Sequence, residues 1–263
     1  MQPGPAALAG GYRVEAFDLL GSTHDEAMLR ARAGDPGKLW IVAQQQSAGR
    51  GRMVRPWASP SGNLYASLLL IDPSPVAVSP QLGFVAGVAL ADAVASMIGP
   101  GRALLKWPND LLLDSAKLAG LLIEATTMPD GLFVCAIGFG VNCTSHPKGL
   151  PYPATNLSVH GDNYSAAVLF PALSDAFAHW FDLWSGSKNF AAIRQAWLDR
   201  AHPAGTNLRV SAPDRIRVGK FKTIDVQGRL VLDCAEGVIT FDAGDVFPVA
   251  GAANNQSIPE QNS

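Results

Sequence analysis

The stretch ALLKWPNDLLLDSAKLAGLLIE, residues 103–124, decides the fold. Pro108 ends its first apolar run, because proline disfavours the α region for the residue before it, and Asn109 and Asp110 are typical of a turn. A second apolar run, a short polar tip and a third apolar run follow. This order predicts short strands joined by tight turns, and Gly120 in the last strand leaves room for a ligand or a neighbouring backbone.

Short β-like runs alternate with longer helical patterns on both sides of that stretch, which predicts an α/β architecture. Strands are predicted at residues 12–17, 39–44, 64–71, 104–106, 118–124 and 132–138, and helices at 24–33, 81–98, 166–183 and 190–200. Beyond residue 202 the hydrophobic period changes to two, which predicts a small β-barrel. We therefore predict a main domain at 12–201, a barrel at 207–249, and flexible tails at 1–11 and 252–263.

Composition and charge exclude several classes of protein. With 263 residues, of which 48% are hydrophobic and 16% charged, the chain is globular rather than disordered or fibrous. A formal net charge of -2 provides no overall positive field for general nucleic-acid binding. The three cysteines lack CxxC spacing, and no run approaches the roughly 18 apolar residues of a membrane span. We expect a cytoplasmic protein without a membrane partner.

Positive charge is concentrated in QQQSAGRGRMVRPWASPS, residues 44–61, and residues 36–71 contain no acidic residue. We call residues 49–57 the arginine loop. Arg50 and Arg52, separated by glycine, can contact an anion from two sides, and the glycines let backbone N–H groups approach phosphate oxygens. The segment therefore indicates an anion site, and the alternative is a solvated basic loop.

We call residues 103–124 the strand–turn stretch. It carries charge directly after its first apolar run, residues 103–105. A lysine at the end of a buried strand, here Lys106, is costly to desolvate unless it faces an anion. Asp110, four residues later, can pair with it or bind magnesium. The alternative is an ordinary turn with a Lys–Asp ion pair.

Two polar segments lie outside that stretch, GSTHDE at residues 21–26 and GFGVN at 138–142. In the first, Thr23 and Glu26 match a capping box, which predicts a helix start and leaves Ser22 free for a polar ligand group. In the second, the GxGxN spacing differs from the GxGxxG dinucleotide fingerprint and no helix follows, which argues against a Rossmann site. Its final amide can both donate and accept hydrogen bonds.

Together and in this order, the segments resemble the biotin protein ligase family, the biotin–[acetyl-CoA-carboxylase] ligases. The resemblance covers about residues 12–249. It rests on Ser22 and Thr23, Gln46 ahead of GRGR at 49–52, Arg55, Trp57, KWPND at 106–110, KLAG at 117–120 and GFGVN at 138–142. It implies an α/β (α+β) fold with a mixed-sheet catalytic domain of the biotin/lipoate ligase type and a small C-terminal β-barrel of the Src-homology-3 type.

The resemblance implies a two-step reaction that uses ATP and biotin as substrates and Mg²⁺ as cofactor. Biotin and ATP first give biotinyl-5'-AMP and pyrophosphate, and the biotinyl group then passes to one lysine of a biotin carboxyl carrier protein of acetyl-CoA carboxylase or another biotin-dependent carboxylase. Attack of a carboxylate on a phosphate brings two anions together, so the site must supply positive charge. Arg50, Arg52 and Lys106 are the candidates.

Carried over by position, the resemblance assigns roles to residues of every motif. The catalytic candidates are Lys106, Arg52 and Asp110. Lys106 would bridge the biotin carboxylate and the α-phosphate, and Asp110 would hold magnesium or deprotonate the acceptor lysine. The candidate biotin contacts are Ser22, Thr23, His24, Gln46, Gly49, Arg50, Gly51, Arg52, Lys106 and Gly120. The candidate nucleotide contacts are Arg52, Trp57, Asn109, Lys117 and Asn142.

Two residues depart from the family pattern. Val54 stands where the family often has glycine, and a β-branched residue resists the left-handed region by about 1 to 2 kcal/mol. His24 replaces a common asparagine, which changes the hydrogen bonding beside biotin.

Two other functions stay open at this point. A lipoate-type protein ligase is disfavoured because the chain lacks an extended Gly-rich run of the Arg-Ser-Gly-Gly-Gly type, and a non-catalytic biotin-binding module would not need the cations. Since only 21 residues precede Ser22, too few for a winged helix-turn-helix, we expect no DNA partner. A homodimer is left open.

Overall fold

The computed structural model describes residues 1–161 and 163–249. Its helices are α1 Pro5–Ala9, α2 Thr23–Arg32, α3 Leu82–Ile98, α4 Ala166–Trp184 and α5 Phe190–Leu198. The strands of the first sheet are β1 Arg13–Leu20, β2 Leu39–Gln46, β3 Leu64–Ile71, β4 Ala103–Lys106, β5 Asp110–Leu113, β6 Ala116–Thr127 and β7 Phe133–Val141. Those of the second sheet are β8 Asn207–Ser211, β9 Ile216–Ile224, β10 Leu230–Cys234, β11 Gly237–Phe241 and β12 Asp245–Pro248.

The first sheet is mixed, with the strand order β1-β2-β3-β7-β6-β5-β4. β1 and β2 are parallel, and the other neighbouring pairs of this sheet are antiparallel. The strand–turn stretch forms β4, β5 and β6, which pair consecutively as its sequence pattern predicts. The second sheet is antiparallel throughout its order β11-β10-β9-β8-β12. The predicted fold class is confirmed: a mixed-sheet domain followed by an antiparallel β domain.

Both faces of the first sheet are buried around β2. Trp40 and Val42 face the main core, while Leu39 and Ile41 face a smaller core under α2. Successive strand residues point to opposite faces, so a strand covered on both sides is apolar at every position. This explains the continuous apolar run of β2, which does not alternate.

The apolar helix α3 lies in the main core. It packs on β4 to β7, with α4 and α5 against it. The helical stretch Val76–Ile98 is long and apolar enough to cross a membrane, but 61% of its most apolar window is buried inside the protein. Its hydrophobicity is accounted for by packing against the sheet and the neighbouring helices.

The second sheet shares the main core with the first. The indole Nε1 of Trp107 donates a buried 3.1 Å hydrogen bond to the carbonyl of Gly228, and the Phe84 ring packs directly on that glycine. Arg194 of α5 donates to the carbonyl of Ile224. These contacts fix the second sheet against the first domain. As a result β12 lies beside the end of β4, where predicted site residues are found.

The N-terminal residues differ from the prediction of a flexible tail at 1–11. Pro5–Ala9 form α1, in which Ala7 is fully buried against α4. The backbone N–H groups of Gly4 and Ala7 donate to Ser174 and Asp175 of α4, both at 2.8 Å. A helix of five residues is too short to show periodicity, so its stability comes from this tertiary contact. The tail predicted at 252–263 lies outside the described residues.

Asn63 fixes the chain that leaves β7, and replacing it is expected to destabilise the fold. Its Oδ1 accepts from the backbone N–H groups of residues 143–145 at 2.8, 2.9 and 3.2 Å. We expect Asn63→Ala to lower the free energy of unfolding by about 2 to 3 kcal/mol, because buried donors lose their acceptor. Urea denaturation measures this, with Gln2→Ala, at an exposed position near the N-terminus, as the control, expected within about 0.5 kcal/mol of the parent protein. Equal losses in the two variants would contradict the prediction.

Candidate active site

A cavity opens between the arginine loop, the N-terminus of α2, the middle of β6 and β7, and β12. Most of the predicted site residues line it: Ser22, Thr23, His24, Gln46, Arg50, Gly51, Arg52, Trp57, Lys106, Asn109, Asp110, Lys117 and Gly120. Gly49 and Asn142 do not. They line a second cavity, which has Trp57 and Lys117 as walls in common with the first.

One end of the first cavity is lined by hydroxyl and amide groups. Ser22 caps α2, and its Oγ accepts from the backbone N–H groups of His24 at 3.2 Å and Asp25 at 3.4 Å. The capping-box interpretation, which placed the cap at Thr23, was therefore wrong by one residue. Thr23 donates from its backbone N–H and from its hydroxyl to Gln46 Oε1, at 2.8 and 3.1 Å. Helix α2 and the end of β2 thus present hydroxyl and amide groups side by side.

The arginine loop is folded back on itself over the cavity. The backbone N–H of Trp57 donates to the carbonyl of Gly49 at 2.9 Å, and Arg50 forms an isolated β-bridge with Pro56. A Cβ at Gly49 would lie 2.6 Å from Ser59 Oγ, so only glycine fits this crossing. These contacts close the loop at its base.

The tip of the loop adopts the left-handed conformation at two residues that are not glycine. Met53 has φ 55 and Val54 has φ 58. Val54 thus adopts the conformation that its β-branched side chain disfavours by about 1 to 2 kcal/mol. It is 80% exposed, so no packing of its side chain offsets that strain.

The three arginines of the loop are held by different parts of the protein. Arg50 is paired with Glu124 of β6 and with Asp25 of α2. Arg52 donates to Asn109 Oδ1 at 3.1 Å and to the carbonyl of Gly244 at 3.4 Å, and burial lowers its pKa. Arg55 pairs with Asp245 at the start of β12. The loop is therefore connected to α2, to the β4–β5 turn and to the second sheet.

A charged cluster forms the other end of the first cavity. The two carboxylate oxygens of Asp110 lie 2.8 Å from Lys106 Nζ and 2.7 Å from Lys117 Nζ. Asp110 is only 9% exposed. Burial alone would raise the pKa of this carboxyl, but the ammonium groups of Lys117 and Lys106 outweigh it and lower the pKa. The predicted Lys106–Asp110 pair is present, and the structure adds Lys117 to it.

The surroundings of Asp110 do not match those of a magnesium ligand. Magnesium binds carboxylate oxygens, and both oxygens of Asp110 already accept from lysine ammonium groups. Across residues 1–161 and 163–249, no group of three or more His, Cys, Asp or Glu side chains could hold a metal ion. Magnesium at Asp110 stays a prediction that these contacts do not support, because this carboxylate orders two cations.

Trp57 lies on a glycine surface of the sheet. Gly120 of β6 and Gly140 of β7 are paired across the sheet, and a Cβ on either would meet the indole, at 3.1 and 2.6 Å. Lys117 Nζ lies 5.5 Å from the centroid of the indole ring. Gly120, predicted as a backbone contact of biotin, thus also supports the indole that separates the two cavities.

Gly140→Ala is expected to displace the indole and weaken turnover. The new Cβ would lie 2.6 Å from Trp57 Cε2, a distance that forces the ring to move. We expect exchange of pyrophosphate into ATP to fall about tenfold, because one misplaced ring shifts the walls of both cavities. Exchange rate and tryptophan fluorescence measure this. Gly10→Ala is the control, since a Cβ there would find no atom nearer than 3.4 Å. Parent-like exchange in Gly140→Ala would contradict the prediction.

Asn142 is held in place beneath the second cavity. It is buried, its Nδ2 donates to the carbonyl of Thr155 at 3.0 Å, and its backbone N–H donates to the carbonyl of Leu118. The role of Asn142 as a nucleotide contact stays a prediction. Its amide oxygen is an acceptor and the second N–H of Nδ2 is a donor, so the side chain can bind either kind of group.

Sequence reasoning missed two carboxylates that hold the arginine loop. Glu124 lies on the same face of β6 as Gly120, four residues along, so the period-two pattern contained a signal for it. Asp245 belongs to the second sheet, 190 residues away from Arg55. No local pattern indicates that contact. Phe247 was missed for the same reason, although its ring lies 5.4 Å from Lys106 Nζ.

The chain matches known protein families over both sheets. Residues 22–142 match the model of the Biotin/lipoate A/B protein ligase family, and residues 206–247 match that of the Biotin protein ligase C terminal domain. A biotin–[acetyl-CoA-carboxylase] ligase of Paracoccus denitrificans is 36% identical over 233 residues, which are 86% of this chain and 96% of the relative. One of Mycobacterium tuberculosis is 33% identical over 250 residues, 90% of each chain.

The fold has counterparts among solved structures. The biotin protein ligase from Aquifex aeolicus, in complex with biotin and ATP, superposes with a TM-score of 0.77 over 90% of this chain and 99% of that chain. The two sequences are 20% identical, so this likeness concerns the fold.

Proposed function

The chain belongs to the biotin protein ligase family, and we propose that it is a biotin–[acetyl-CoA-carboxylase] ligase that activates biotin with ATP and transfers it to a carrier lysine. The observation that carries this proposal is the first cavity itself. Uncharged hydrogen-bonding groups from α2 and β2 form one end, and the cluster of Lys106, Asp110 and Lys117 forms the other. Biotin has the same polarity, with a neutral ureido ring at one end and a carboxylate at the other.

The polar end complements the ureido group. The Ser22 hydroxyl accepts two backbone hydrogen bonds, so its own proton is directed to another acceptor, such as the ureido oxygen. Thr23 and Gln46 hold each other in place through two hydrogen bonds, which fixes their polar atoms before ligand arrives. Groups ordered in advance lose less entropy on binding.

The charged end supports the first chemical step. A carboxylate oxygen of biotin forms a bond to the α-phosphorus of ATP, and the bond from that phosphorus to pyrophosphate breaks. Lys106, Lys117 and Arg52 supply positive charge where the negative charge of both reactants meets. Each ammonium has three N–H donors and uses one on Asp110, so donors remain for the reactants.

Asp110 is a positioning group in this proposal rather than the base of the second step. In that step the amine of the carrier lysine attacks the biotinyl carbonyl and AMP leaves. The pKa of Asp110 is lowered by its two lysine neighbours, so its carboxylate is a weak proton acceptor. Its contribution is to hold both ammonium groups in fixed positions.

The second cavity is proposed to receive the nucleotide base of ATP. Trp57 offers an aromatic face between the two cavities, and the Asn142 side chain lies at the wall of the second cavity. Lys117 lines both cavities, so its ammonium can reach the phosphates that join them. Magnesium is proposed to enter on the phosphates of ATP, because phosphates together with water commonly supply its ligands.

The proposed partner is the biotin carboxyl carrier protein of acetyl-CoA carboxylase or of another biotin-dependent carboxylase, and the proposed location is the cytoplasm. The name of the Paracoccus denitrificans relative supports the carboxylase. The absence of a DNA partner stays a prediction, and a homodimer stays open.

Acid-dependent exchange of labelled pyrophosphate into ATP tests the proposal. We expect exchange with biotin, and background exchange with lipoate or with no acid. A lipoate ligase would require lipoate, and a non-catalytic binding module would give no exchange with either acid. Transfer of biotin to a purified carrier domain then tests the second step. Loss of transfer when the carrier's acceptor lysine is replaced by arginine is the expected result.

A further inference from the structure

Arg50 connects the arginine loop to the sheet, and it does so through a carboxylate that none of the sequence motifs singled out. Its Nε lies 3.4 Å from Glu124 Oε1 and its Nη2 lies 3.1 Å from Glu124 Oε2. Its Nη1 lies 2.8 Å from Asp25 Oδ1. The guanidinium is therefore held on two sides by the protein's own anions. Arg50 was expected to face an anionic ligand, and here it serves as the loop's attachment.

Glu124 also contacts the floor of the first cavity. Its Oε2 lies 3.1 Å from Nε2 of His24, whose side chain is 4% exposed and lines the cavity. The other face of the imidazole lies against Gly138, where a Cβ would be 3.3 Å from Nδ1. The neighbouring His24 imidazole, and then the Arg50 guanidinium, lower the pKa of Glu124 to about 2 despite burial, which would raise it. The carboxylate is therefore charged throughout the neutral range.

We propose that Glu124 is a positioning residue that couples the arginine loop to the occupant of the first cavity. Its carboxylate lies between Arg50 of the loop and the buried imidazole of His24. A ligand that displaces the His24 side chain therefore also displaces Glu124 and, through it, Arg50. When Glu124 holds Arg50 in place, the side chain of Arg52, two residues further along the loop, is kept facing the cavity. The inference rests on the proposed function, since the occupant is taken to be biotin or its adenylate.

A surface ion pair without a functional role is the competing explanation. Glu124 is 42% exposed, and pairs of that kind usually contribute little to stability. One feature separates Glu124 from such pairs: the carboxylate that contacts Arg50 also lies 3.1 Å from Nε2 of a buried histidine at the wall of the cavity. The pair of Arg30 with Glu15 is matched to it in exposure but lies outside the residues that line either cavity.

Glu124→Gln, with Glu15→Gln as the matched control, tests the proposal. We expect the KM for biotin in the exchange reaction to rise about tenfold in Glu124→Gln while kcat stays within about twofold, since positioning of the loop changes and the reacting groups do not. Trypsin is expected to cut after Arg50 and Arg52 about tenfold faster in this variant, and biotin with ATP is expected to protect it less. Arg55 precedes proline and resists trypsin. Glu15→Gln is expected to match the parent protein in all three measurements.

His24→Asn is the second variant, and it keeps the proposal testable if Glu124→Gln does not fold. It leaves the Arg50–Glu124 pair in place and removes the contact with the cavity floor. We expect biotin, at a concentration that saturates the variant, to protect its loop from trypsin less than in the parent protein. Normal protection in His24→Asn, or a Glu124→Gln variant indistinguishable from Glu15→Gln, would overturn the inference. Absence of biotin-dependent exchange in the parent protein would instead refute the proposed function.

Discussion

Lys106→Ala is expected to reduce biotin-dependent pyrophosphate exchange by about 10² to 10³-fold, the usual loss when one preorganised donor at a developing charge is removed. The ammonium lies at the end of β4, in the cavity where two anions must meet. The fold should persist, because Asp110 keeps its second partner, Lys117, at 2.7 Å. The buried carboxylate is then not left without a counter-charge, which is the main source of large losses when such pairs are broken.

Exchange kinetics and thermal unfolding together measure this result. Lys220→Ala, which removes an exposed lysine of the second sheet, is the control and is expected to keep full exchange. Lys117→Ala extends the comparison, since Lys117 contacts the same carboxylate as Lys106. Parent-like exchange in Lys106→Ala would remove Lys106 from the chemistry. A loss confined to Lys117→Ala would transfer the bridging role to Lys117.

Arg52→Gly is expected to speed release of the adenylate by about 10- to 100-fold, the range of one lost hydrogen bond to a charged group. Arg52 holds the loop to Asn109 and to the carbonyl of Gly244, and its charge faces the cavity. Without it the loop loses both attachments and the phosphate of the adenylate loses a counter-charge. Released biotinyl-AMP, a reactive mixed anhydride, is then expected to acylate amines outside the carrier.

Biotin attached to a bystander protein without a carrier domain measures that release. Arg55→Gly is a control from the same loop. Arg55 pairs with Asp245 at the surface and is more exposed than Arg52, so its loss should change bystander labelling by less than about threefold. Unchanged retention of the adenylate in Arg52→Gly would refute the prediction, as would equal labelling by both variants.

Elements with a strong local pattern were predicted well from the sequence. β3 occupies residues 64–71 as predicted, and the strand–turn stretch forms consecutive antiparallel strands. β3 and β5 bury nearly all of their side chains, so the apolar run coincides with the strand. Two short elements, α1 and β12, were missed. α1 and β12 span five and four residues, and each is stabilised by contacts with distant residues rather than by its own pattern.

The sequence predicted which residues line the candidate cavity better than it predicted the contacts between them. Most of the predicted residues line one cavity, because the motifs lie at strand ends and turns that the sheet brings together. Their partners were mostly not predicted. Arg50 and Arg52 were expected to face a ligand anion, but in the structure both contact acceptor groups of the protein itself. Asp110 was considered as a magnesium ligand or a base, and the structure pairs it with two lysines.

The sequence by itself determined the fold class, the family and the candidate site residues, because these depend on residue types at fixed local spacing. It also indicated the local pair of Lys106 with Asp110, whereas the tertiary structure decided which charges from distant segments meet. Glu124 joins His24 to Arg50 across α2, β6 and the arginine loop, and Asp245 reaches Arg55 from the second sheet. Electrostatic energy depends on distance through space, and residues far apart in the chain come within hydrogen-bonding distance only when the sheets pack.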